Sequence, residues 1–254
     1  LNMVFSDKPK DINYIVRKNK ITIIGLECNT YCDEYANCKV MDNHLPNGGY
    51  DLFFTELNDI FMIHINTLAG EKLLKTSKLF RKVSEKDKEK LQALRAEKRL
   101  IFKDEVNVKH KDLKPLFDKS FNAPVWDDLD RRCVACGNCT NVCPTCNCYN
   151  VIDYPVLGKD YSNIKRCWDA CTIENYSSVA GGENFREKRS ERLKLYYTHK
   201  LQAYISKYGK PACVGCGRCI ATCPVDINVK TVSYALEGKE PDAFWNRLSE
   251  EVTK

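Results

Sequence analysis

The sequence predicts an α+β fold: a small mixed α/β domain over residues 1–105, then an α-helical domain over residues 106–254. Three observations carry this. Strand-like apolar runs crowd into the first seventy residues, helical periodicity begins at Ser84, and two matching cysteine runs punctuate the second half.

In the first domain, Ile21 to Leu26 reads as a buried strand. Tyr50 to Leu57 and Ile60 to Ile65 read as two further strands of the same sheet, flanking the turn residues Asn58 and Asp59. Ser84 and Asp87 have the spacing of a capping box, and Leu91, Leu94 and Ala96 continue at helical spacing to about Leu100. The lysines and glutamates of that helix read as a solvated face. Between Asp112 and Asp130 we expect short helices broken at Pro115 and Pro124, with the domain boundary between Leu100 and Asp112. Asn184 to Tyr208 predicts a long amphipathic helix with Leu193, Tyr197, Leu201, Tyr204 and Ile205 on one side and Gly209 as its C-cap.

Composition narrows the function. The chain has 254 residues, a formal net charge of +6 and 43% hydrophobic residues, enough for two modest cores. No apolar run is long enough to span a bilayer, and no charged stretch precedes an apolar one as an export signal would require. The chain opens on Leu1, so its true start is expected upstream and the first domain is expected to be incomplete. Fifteen cysteines in a lysine-rich chain argue against a small secreted disulfide scaffold, and an odd number leaves one unpaired in any all-disulfide scheme. A reducing cytoplasm is the expected location. No dinucleotide-binding glycine motif, phosphate loop or nucleophile elbow is present, so flavin and nucleotide are not expected on this chain.

The chemistry lies in two segments. One reads Cys133-x2-Cys136-x2-Cys139-x3-Cys143-Pro144, the other Cys213-x2-Cys216-x2-Cys219-x3-Cys223-Pro224. This is the bacterial ferredoxin signature: a tight loop gives three thiolates to one [4Fe–4S] cubane, and the fourth thiolate reaches the other cubane. Cys133, Cys136, Cys139 and Cys223 are therefore expected on one cluster, and Cys213, Cys216, Cys219 and Cys143 on its neighbour. A zinc site would take four ligands from two separated pairs and has no use for three cysteines at successive spacings. Gly137, Gly215 and Gly217 would admit close approach of backbone to inorganic sulfide. Pro144 and Pro224 turn the chain after each fourth ligand.

Seven cysteines remain. Cys28, Cys32 and Cys38 follow the first strand, Cys146 and Cys148 follow the first run, and Cys167 and Cys171 stand one helical turn apart. They either pack as small hydrophobes or contribute to a third cluster, for which Cys28, Cys32, Cys38, Cys146, Cys148 and Cys171 are the candidates. His44, His64, His110 and His199 are scattered and read as structural or solvated. Arg186, Lys188, Arg189, Arg192, Lys194, Lys200 and Lys207 make the long helix basic. That reads as a solvated face offsetting the charge of the clusters, or as a docking face for an acidic partner, with no nucleic-acid motif beside it.

Several segments together resemble a family of dicluster iron–sulfur subunits that includes the β subunit of archaeal sulfhydrogenase and the iron–sulfur subunit of anaerobic sulfite reductase. They are Ile23-Ile24-Gly25-Leu26-Glu27-Cys28, Gly49 to Thr55, Arg132 to Tyr149, Cys167 to Cys171, Ala180 to Arg186, Tyr197 to Leu201 and Cys213 to Val229. The resemblance covers nearly the whole chain. It implies an α-helical ferredoxin domain with two [4Fe–4S] clusters held between helices, and a longer N-terminal region with a Pro-Cys-Asp segment. It also implies a flavoprotein partner that oxidises NAD(P)H and a catalytic subunit, either [NiFe] or sirohaem. The chain itself is expected to relay electrons without making bonds; a redox sensor is the remote alternative.

Overall fold

The computed structural model describes residues 1–102 and 110–238, and these form two compact units. Residues 1–34 and 42–102 make the first; residues 35–41 and 110–238 make the second. The sequence boundary at 105/106 lies outside the described residues.

The first unit contains α1 (Asn2–Phe5), α2 (Ile12–Lys18), β1 (Ile24–Leu26), β2 (Leu52–Leu57), β3 (Ile60–Ile65), α3 (Leu68–Leu74) and α4 (Glu85–Ile101). The sheet order is β1-β2-β3, with β1 parallel and β3 antiparallel to the central β2. Asn58 turns the hairpin at φ +58, a conformation asparagine tolerates better than most residues. The segment read as a buried strand from Ile21 is a three-residue edge strand, and Ile21, Ile23, Ile24 and Leu26 are all exposed. Among the described residues it pairs with β2 alone, and its apolar side chains stay exposed.

Helix α4 starts as its sequence requires. Ser84 and Asp87 form the reciprocal capping box, and Arg81 adds two hydrogen bonds to the Asp87 carboxylate, at 2.7 and 3.0 Å. These bonds, Arg81 first, hold the Asp87 carboxyl far below the usual carboxylate range. The helix lies against β2, and its Lys98 reaches inward to Glu27, which follows β1.

The second unit contains α5 (His110–Lys119), α6 (Val125–Arg132), α7 (Asn138–Asn141), β4 (Tyr149–Pro155), β5 (Ser162–Trp168), α8 (Arg189–Thr198), α9 (Tyr204–Tyr208), α10 (Arg218–Ala221) and α11 (Val229–Leu236). A 3-10 turn spans Glu174–Ser177, and a π-helical turn at His199–Ala203 joins α8 to α9. The core collects Leu113, Phe117, Trp126, Leu129, Leu193, Tyr197, Leu201 and Val232 from five of these helical segments.

Three expectations need correction here. Pro115 lies within α5 and does not break it, because Leu113, Leu116 and Phe117 are buried and packing offsets the lost hydrogen bond. The long helix begins at Arg189, not Asn184, and ends at Gly209 in the left-handed cap conformation. A two-stranded ribbon, β4 with β5, interrupts the helical domain. Cys167 lies on β5, so Cys167 and Cys171 are not a helical turn apart.

Candidate metal centre

Each cysteine run folds into a loop followed by a four-residue helix. In the first run Gly137 stands before α7, and in the second Gly217 stands before α10; both adopt the left-handed conformation, and the two short helices pack together. This packing carries the end of each run across to the other loop. One hollow is lined by Cys133, Cys136 and Cys139 of the first run and by Cys223 of the second. The other is lined by Cys213, Cys216 and Cys219 of the second run and by Cys143 of the first.

The walls divide between neighbouring aromatic residues of α8. Tyr197 lines the first hollow and Tyr196 the second, while the Tyr196 hydroxyl donates to the Cys139 carbonyl at 3.1 Å. Backbone N–H groups reach the thiols: Ala135 N–H donates to Cys133 Sγ at 3.4 Å and Ile227 N–H to Cys223 Sγ at 3.2 Å. Lys200 Nζ donates to Cys143 Sγ and to Thr145 Oγ1, each at 3.1 Å. Among the described residues, no three His, Cys, Asp or Glu side chains converge closely enough to grip a single ion. An all-sulfur donor set with N–H groups aimed at sulfur fits an iron–sulfur core.

Residues 132–227 match the family model for a 4Fe-4S dicluster domain. The chain is also 32% identical over 244 residues to sulfhydrogenase 2 subunit beta of Pyrococcus furiosus, an alignment covering 94% of this chain and 70% of that protein. The chain belongs to this family of iron–sulfur subunits. No solved structure matches it. Among the described residues, no helix is long and apolar enough to cross a membrane.

Within this iron–sulfur subunit the thiols differ in acidity. Burial pushes Cys139 and Cys213 up to about 11 and Cys219 to about 12. Cys143 is lowered to about 4, first by the hydrogen bond from Cys146 and then by the charge of Lys200. The Lys200 ammonium on its sulfur favours the thiolate of Cys143, whereas the buried thiols of Cys139, Cys213 and Cys219 would release protons on binding a metal.

The second loop has a neighbour that the sequence did not reveal. Residues 35–41 fold with this unit, and Asn37 N–H donates to the Gly215 carbonyl at 2.7 Å. A Cβ on Gly215 would lie 2.5 Å from the Asn37 carbonyl oxygen, and one on Gly217 would lie 2.5 Å from the Tyr35 carbonyl. At both glycines the missing side chain admits backbone of residues 35–38, and both also line the second hollow. Gly215 has φ +69, where an L residue costs about 1–2 kcal/mol before any clash. Gly215→Ala is expected to lower stability by at least that amount and to speed proteolysis within residues 35–41, measured by urea denaturation and limited digestion.

The other cysteines fall in separate places. Cys28 and Cys32 hydrogen-bond to each other in the first unit, while Cys38 belongs to the second-unit segment over Gly215. Cys146 bonds to Cys143, and Cys148 bonds to Cys171 and Tyr176. His44 packs against Phe102, His64 against Tyr50 and His199 against Tyr204. The side chain of His110 lies outside the described residues.

The solvated-helix reading fails for two of the basic residues. Arg192 is buried and donates to the carbonyls of Arg186 and Glu187, and Lys200 is buried beside Cys143. Lys200 falls one turn from Tyr196 and Tyr197, so its position relative to the aromatic pair was the available signal. A large hollow of the first unit, lined by Phe54, Leu57, Phe61, Ile63, Leu74 and Phe80 among others, has no thiol in its lining.

Proposed function

We propose that this chain is the electron-transfer subunit of a hydrogenase-type complex, holding two [4Fe–4S] clusters by exchanged fourth ligands. Cys133, Cys136, Cys139 and Cys223 hold one, and Cys213, Cys216, Cys219 and Cys143 the other. The observation that carries the reading is the make-up of the two hollows, each with three thiols from one loop and one from the other. Clusters supply one-electron redox chemistry. The chain's own residues exclude water with Leu193, Tyr196 and Tyr197 and present N–H groups to the sulfurs.

In this reading the partners are a flavoprotein that exchanges electrons with NAD(P)H and a [NiFe] catalytic subunit, and the complex works in the cytoplasm. The similarity to a sulfhydrogenase β subunit supports it. Anaerobic affinity purification of the complex tests the partners: stoichiometric nickel and flavin are expected. Sirohaem absorbance in place of nickel would instead make the chain the electron-relaying component of an anaerobic sulfite reductase. A third cluster using Cys28, Cys32, Cys38, Cys146, Cys148 or Cys171 would raise the iron content from about eight to about twelve per chain, at four per cubane.

A further inference from the structure

We infer that Lys200 makes the cluster held by Cys213, Cys216, Cys219 and Cys143 the more easily reduced of the pair, so that a single electron entering the chain rests there. The inference builds on the ligand assignment proposed above. Lys200 is only 5% exposed, and its ammonium donates directly to the sulfur of Cys143 at 3.1 Å. Thr145 Oγ1 accepts a second bond at 3.1 Å, and the ammonium also stands 5.5 Å from the centre of the Tyr196 ring. None of the ion pairs among the described residues involves Lys200, so no carboxylate neutralises it.

The placement depends on the local backbone. Lys200 lies in the π-helical turn His199–Ala203, a widened turn of the kind often found at functional sites, and its carbonyl accepts from Ala212 N–H at 2.9 Å, next to Cys213. The ammonium is thereby fixed against the second loop.

Among the described residues, the first hollow has no equivalent. Its crossed thiol, Cys223, accepts from the uncharged backbone N–H of Ile227. Of the nearby cations, Arg132 is ion-paired with Asp128 at 3.4 Å, and Arg189, partly exposed, donates to the Cys133 carbonyl at 2.8 Å, not to a sulfur. Reduction adds one negative charge to a cluster, and a buried cation on a ligand sulfur stabilises that charge more than a screened or paired one does. The two clusters, alike in ligands, therefore differ in potential.

The test is a redox titration followed by electron paramagnetic resonance on anaerobically loaded wild-type protein and on Lys200→Met and Lys200→Arg. Lys200→Met is expected to disfavour reduction of one cluster at least tenfold, a fall of about 59 mV for one electron, with a smaller change in the other. Lys200→Arg, which keeps the charge, should recover most of that shift. If Lys200→Met does not retain about eight irons, Lys200→Gln, which keeps a donor without the charge, replaces it. Unchanged midpoints, equal falls in both, or an arginine variant no better than methionine would overturn the inference. Wild-type protein lacking two cubanes would instead overturn the ligand assignment itself.

Discussion

Replacing Cys143 with serine is expected to remove the cluster held by the second cysteine run, although Cys143 belongs to the first. Replacing Cys223 should do the converse. Each single variant should fall from about eight irons per chain to about four. Pairs of substitutions make the exchange visible. Cys133→Ser with Cys223→Ser should lose no more iron than either alone, because both line one hollow, whereas Cys133→Ser with Cys143→Ser should lose both clusters. An uncrossed arrangement would give the opposite pattern. Iron and acid-labile sulfide analysis of anaerobically purified variants reads the result directly.

Replacing Lys98 with methionine is expected to destabilise the first unit by about 3–5 kcal/mol at neutral pH, the usual cost of stranding one member of a buried ion pair. The side chains of Glu27 and Lys98 are 1% and 8% exposed and meet at 2.6 Å, and Thr55 donates a further bond at 2.6 Å. Arg95 stands farther off, at 3.6 Å and partly exposed, and compensates poorly. Against a typical total of about 5–15 kcal/mol, the loss would be severe.

The pH dependence has a definite sign. Burial alone would raise the Glu27 carboxyl, but the bonds from Lys98 and Thr55 outweigh it and hold the group below its usual range. Its stabilising contribution is thus complete above the unfolded carboxylate pKa of about 4.3 and disappears as pH falls through the lower folded value. In Lys98→Met burial dominates and the carboxyl takes up a proton more readily, so the variant's deficit should shrink on acidification. Urea denaturation of both proteins at pH 7 and pH 5 measures it. An equal deficit at both values would show that Glu27 is not the strained group.

The sequence made the chemistry more legible than the architecture around it. The cysteine spacing marked the eight thiols that line the two hollows, three from one run and one from the other in each, because a tight loop restricts which sulfurs can lie together. Asn58 and the Ser84–Asp87 box marked a hairpin and a helix start for equally local reasons. What escaped was set by tertiary packing. The β4–β5 ribbon carries exposed apolar residues on both faces, Trp168 on one and Tyr154 on the other, so its strands lack the alternation of a half-buried pair. Residues 35–41 join the second unit through backbone contacts at Gly215 and Gly217, which no side-chain pattern announces. Lys200 looked like one more solvent-facing lysine until the π-helical turn and the aromatic pair placed it on a sulfur.

The most direct measurement is the metal and spin content of the wild-type chain prepared without oxygen. Two neighbouring cubanes joined by exchanged ligands should give about eight irons and eight sulfides, and on full reduction two paramagnetic signals broadened by each other. Zinc in place of iron, colourless protein, or two signals with no mutual broadening would contradict the account.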